Sequence, residues 1–99
     1  MNILELDILK QQETDLNCEI AKYKMLCNFK IDEINKLVMS IKYASTEYLS
    51  NNLIKQLEAC KNELADLTLQ YNNSIDLAHK KSIEIVEFLK RLEKNKGEM

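Results

Sequence analysis

The chain has 99 residues, with 14 basic and 16 acidic side chains mixed along it and a net charge of −2. That balance is too even for a nucleic-acid partner, whose footprint is a basic patch. There is no Pro and a single Gly, Gly97, where average usage would supply about a dozen such residues, so the usual material of tight turns, phosphate-cradling loops and strand bulges is missing.

What remains is Leu, Ile, Lys, Glu and Asn, which reads as a single all-α domain over 1–99. No uninterrupted apolar run approaches the roughly 20 residues of a bilayer span. The first nine residues carry Glu5 and Asp7 and lack the basic start of a signal peptide. Three cysteines without paired spacing fit a reducing compartment, and the expected localisation is cytoplasmic.

Asn2, followed three residues later by Glu5, resembles a capping box that opens helix one. The apolar stripe of that helix is Leu9, Leu16, Ile20, Tyr23, Cys27, Ile31, Ile34, Val38 and Ile41. From Leu16 onward its steps average about 3.6 residues, the repeat of a gently supercoiled helix. Helix one is expected over about 3–43. The pattern fails at Tyr43-Ala44-Ser45-Thr46-Glu47-Tyr48, where Ser45 or Thr46 can cap a new helix, and Ser50-Asn51-Asn52 is a rival break. The turn is placed at about 44–50.

Helix two is expected over about 50–95, with the tail after Lys94 fraying. Its stripe is Leu49, Leu53, Leu57, Cys60, Leu64, Leu67, Tyr71, Ile75, Ala78, Ser82, Ile85, Leu89 and Leu92. Asn72-Asn73-Ser74 offers another break and a three-helix alternative, but the stripe passes it in phase, which favours one continuous helix. Two helices of matched length and a short link predict an antiparallel two-helix hairpin or coiled coil. Residues whose numbers add to about 91 should then face each other: Leu16 with Ile75, Ile20 with Tyr71, Cys27 with Leu64 and Val38 with Leu53.

Candidate chemistry is sparse. Cys18, Cys27, Cys60 and His79 lack zinc-ligand spacing, so no metal and no cofactor is expected. The register puts His79 near Glu13, but no nucleophile or oxyanion donor accompanies them; no catalytic residue is assigned and the chain is read as not an enzyme. The surplus is apolar. Cys18, Met25 and Phe29 lie on the back of helix one, and Leu69 and Leu77 point outward on helix two. These five are the candidate partner interface. A bare hairpin would leave them wet, so a second chain, identical or different, is expected to complete a bundle.

The triplet Tyr43-Ala44-Ser45, aromatic-x-small at the interhelical turn, resembles the motif of the small Trp-x-Gly helical-hairpin proteins of type VII secretion. Here Trp and Gly are replaced. The family's C-terminal Tyr-x-x-x-Asp/Glu export signal is missing, since Phe88 is followed at that spacing by Leu92. The resemblance implies a cytoplasmic helper that binds a secreted client rather than exported cargo. Some type III secretion chaperones and stalk proteins are short helical hairpins as well. The expected function is therefore a non-catalytic interaction module, an adaptor or chaperone-like partner of a secretion client. It would bind a protein with exposed apolar helices, itself as a homodimer, or both. The alternative is a structural coiled-coil spacer or subunit of a larger assembly.

Overall fold

The computed structural model describes residues 2–97, without the side chains of residues 2, 3, 96 and 97. The capping role read for Asn2 and the last two residues of the tail lie outside that description. The described residues form two α-helices packed against each other, α1 (Asn2–Lys42) and α2 (Glu47–Gly97), and no strand. The all-α hairpin expected from the stripes is what the chain forms.

The link is shorter and earlier than the sequence suggests. Helix α1 ends where the Tyr43 amide reaches the Met39 carbonyl and the Ala44 amide donates to the Ile41 carbonyl at 3.2 Å, a tightened final turn. Thr46 then caps α2: its Oγ1 accepts the Leu49 amide at 3.1 Å, and its carbonyl accepts the Ser50 amide. Ser50-Asn51-Asn52 therefore lies inside the helix. So does Asn72-Asn73-Ser74, and α2 is continuous through to Gly97.

The chain divides into two compact units, and each helix contributes to both. A terminal unit joins 1–21 to 72–99, and a turn unit spans Lys22–Tyr71. In the turn unit the half-buried positions of α1 are Tyr23, Cys27, Lys30, Ile34, Leu37 and Ile41, and those of α2 include Leu53, Leu57, Cys60, Leu64, Leu67 and Tyr71. In the terminal unit they are Leu6, Leu9, Glu13, Leu16 and Ile20 on α1, joined on α2 by Ser74, Ala78, Lys81, Ile85, Phe88 and Leu92. Within each unit the steps alternate strictly between 3 and 4. That is a heptad seam with a mean of 3.5, not the drifting 3.6 stripe read from the sequence.

The reason is geometric. An undistorted helix drifts about 20° per heptad, so two helices keep one seam in register only by underwinding to 3.5 residues per turn. Ile31, Val38, Leu49, Ile75, Ser82 and Leu89, read as stripe residues, are exposed beside the seam. Lys30, Leu37, Ser74, Lys81 and Phe88 take seam positions instead.

The register shifts too. Gln12 meets Lys81, Glu13 meets Ser82, Lys30 meets Glu63 and Glu33 meets Cys60, pairs whose numbers add to 93–95. A sum of 94 turns the seam positions of each unit into layers. It pairs Leu16 with Ala78 and Ile20 with Ser74 in the terminal unit, and Cys27 with Leu67, Ile34 with Cys60 and Ile41 with Leu53 in the turn unit. Relative to the expected sum of 91, α2 is displaced by three residues, about 4.5 Å at 1.5 Å per residue.

Candidate interaction surface

Each unit shows two different flanks beside its seam. In the turn unit the polar flank is built around Lys30. Its stem lies in the seam while its ammonium reaches Glu33 on its own helix, at 3.1 Å, and Glu63 on α2. This is how a long cation occupies an otherwise apolar stripe: the methylenes pack and the head stays wet. Glu33 also accepts the Cys60 thiol at 3.5 Å. These hydrogen bonds, from Lys30 first and then Cys60, hold the Glu33 carboxyl below its usual range. Glu63 and Glu33 push Lys30 up. Burial, and then the Glu33 hydrogen bond, push the Cys60 thiol up. An open groove of about 420 Å³ beside them is lined by Glu33, Lys36, Leu37, Gln56, Ala59 and Cys60.

The other flank of the turn unit carries Ile31 and Val38 on α1 and Glu47, Ile54 and Lys61 on α2. Ile31, Val38 and Ile54 are exposed there. The outer side of α1 carries Met25 and Phe29, 60% and 62% exposed and one helical turn apart. Leu69 is equally exposed, but it points from the outer side of α2. Being level with Met25 on the opposite helix, it faces away from it. Around the link, Met39, Tyr43, Tyr48 and Leu49 add further apolar surface, and the Lys42 ammonium lies 5.7 Å from the Tyr43 ring.

In the terminal unit, the Lys81 ammonium donates to Gln12 at 2.9 Å and the Ser82 hydroxyl to Glu13 at 2.9 Å. The residue across from Glu13 is thus Ser82. His79, which the expected register placed there, is exposed on the outer side of α2. A groove of about 350 Å³ is lined mainly by Glu5, Gln12, Glu84, Glu87, Phe88 and Arg91. Cys18 is exposed on the outer side of α1, and Leu77 is exposed on the flank that also carries Gln12 and Glu84.

The five residues singled out from the sequence are therefore all at the surface, but only Met25 and Phe29 form one patch. Of the flank trio, Ile31 and Val38 are hidden in the sequence because they pass for seam residues, while nothing in the stripes singles out Ile54. Strict alternation after the four-residue step from Tyr23 to Cys27 requires a three-residue step next, to Lys30, and that moves Ile31 and Val38 out. All three cysteines are free thiols. Among the described residues no cluster of three His, Cys, Asp or Glu side chains could hold a metal ion, and no helix is long and apolar enough to cross a membrane.

No family model, curated protein or solved structure matches the chain. The reading of its role rests on the surface itself.

Proposed function

We propose that the chain is a non-catalytic protein–protein interaction module, a helical-hairpin adaptor that lends apolar surface to the helices of a client. The observation that carries this reading is the outward Met25–Phe29 pair, a flexible thioether beside a flat ring, which suits a partner's groove. The total surface supports it. The chain exposes 7792 Å², against about 5800 Å² for a folded monomer of 11.6 kDa. The difference, about 2000 Å², is the scale a subunit contributes to a large interface.

The free thiols support action in a reducing, cytoplasmic setting. The position of Tyr43-Ala44-Ser45 at the interhelical link supports a client drawn from a secretion system. A second reading, a coiled-coil spacer in a larger assembly, draws support from the unbroken 3–4 spacing within each unit.

The test is capture of partners from the native cell by the tagged full chain, compared with a Met25→Ser, Phe29→Ser variant. Loss of a specific partner with the helical signal unchanged is the expected result. Equal capture by both proteins would sink the client-binding reading and leave the spacer.

A further inference from the structure

The flank opposite the Lys30 network has a charge pattern that is complementary to its own reverse. Glu47, Ile54 and Lys61 are spaced by one heptad on α2, so they lie in a single row beside the seam. All three are exposed. Val38 on α1 lies about two residues, roughly 3 Å, from the level of Ile54, and Ile31 stands in the same relation to Lys61. The acid stands seven residues before the central isoleucine and the base seven residues after it.

A row with this order is complementary to itself when turned end for end. If a second copy lies on it antiparallel, with the two-fold axis passing level with Ile54, Ile54 meets Ile54 and the two Val38 side chains lie near each other across the axis. Each Glu47 then meets a Lys61, twice over by symmetry. The next row outward behaves the same way: Asn51 falls near Glu58 and Asn35 near Lys42, so no like charges are opposed. The polar flank, with Glu33 and Glu63 side by side around Lys30, has no such symmetry.

We propose that this flank of the turn unit is a self-association surface on which two copies of the chain pack antiparallel, through Val38 and Ile54 at the centre and reciprocal Glu47–Lys61 pairs at the rim. Each copy contributes about ten residues, fewer than the 20–30 of a standard interface, so the dimer belongs to the weak class. It uses a different face from Met25 and Phe29 and does not depend on client binding. A client lost from the Met25→Ser, Phe29→Ser variant leaves the self-association untouched, and the reverse holds as well.

The experiment is sedimentation equilibrium of the full chain from about 10 µM to 1 mM. Wild type should show a reversible monomer–dimer equilibrium. Lys61→Glu should weaken it at least tenfold, about the effect of turning two surface pairs into two repulsions. Glu47→Lys alone should do the same, and the two together should restore it. Both side chains are exposed, so circular dichroism should report the same helix content throughout. A wild type that stays monomeric to 1 mM, a dimer indifferent to Lys61→Glu, or a double variant as weak as the single ones would each overturn the proposal.

Discussion

Lys30 of α1 and Glu63 of α2 form an ion pair across the helices at a level where the heptad seam itself carries the cation. The layers on either side, Cys27 with Leu67 and Ile34 with Cys60, are apolar. The lysine stem thus acts as a seam residue while its ammonium serves two carboxylates. Because the head is solvated, the ion pairs contribute less than the packing. Lys30→Ala should lower the unfolding free energy through lost stem contacts, whereas Lys30→Met, which keeps a stem of similar length, should stay close to wild type. Urea midpoints of the two variants measure the difference; equal losses would assign the stabilisation to the charge.

The register can be fixed by cross-linking. In a chain whose native cysteines are replaced by serine, Leu16→Cys with Ala78→Cys should form an intramolecular disulfide on mild oxidation. Leu16→Cys with Ile75→Cys should not, because three residues of displacement, about 4.5 Å, and a side chain turned out of the seam exceed the geometry a disulfide accepts. Non-reducing electrophoresis separates the outcomes.

Burial predicts an asymmetry between the two phenylalanines. Phe88 is 8% exposed and Phe29 62%. Phe88→Ala should destabilise by about 3 kcal/mol, the low end for a buried ring, while Phe29→Ala should change stability by less than about 0.5 kcal/mol. Thermal melts of both variants are the check.

Acid should loosen the turn unit through Glu33. Its carboxyl titrates below the ordinary 4.5 because Lys30 and then Cys60 bond to the charged form. A lowered folded value means that the stabilisation is complete above the ordinary value and is lost as pH falls through the lowered one. Lys30 and Cys60 are shifted upward, so their contributions hold at neutral pH and are lost as pH rises through their raised values. The melting temperature should fall below about pH 4.5, and Glu33→Gln should flatten part of that fall. An unchanged slope in the variant would remove Glu33 from the explanation.

Thiol reactivity should follow the same geometry. Cys18 is exposed, whereas Cys60 is half-buried, donates to Glu33 and has its thiol pushed up. At neutral pH the thiolate is the reactive form, so iodoacetamide should label Cys18 before Cys60. Peptide mass spectrometry over a time course reads the order, and Glu33→Gln should speed labelling at Cys60.

The sequence carried the helices, their pairing and most of the seam, because Leu, Ile and Tyr at steps of 3 and 4 leave few other ways to bury a stripe. It misled at Ile31, Val38, Ile75 and Leu89. A position next to the seam is only about 50° around the helix from it, so an apolar residue there passes for a seam residue. The true occupants were disguised by polarity. Lys30 and Lys81 sit on the seam by their stems, and Ser74, 4% exposed, fits because it is small. The three-residue register error has another root: the sum of 91 follows from where the turn is placed, and it puts Ile75 opposite Leu16. The outer patch at Met25 and Phe29 was legible as residues too many for one stripe. That Leu69 faces the other way was not, because a helical wheel of one helix says nothing about the side on which its partner lies.

Every buried residue among the described ones, Ser74, Ala78, Ile85 and Phe88, belongs to the terminal unit. Closing that unit joins segments more than fifty residues apart in the chain, while the turn unit closes across a four-residue link. Loop-closure entropy makes the short closure quicker. Speed of formation and depth of burial are therefore assigned to opposite stretches of the chain: it zips first where it grips least, and its lifetime once folded is governed by the stretch that zips last.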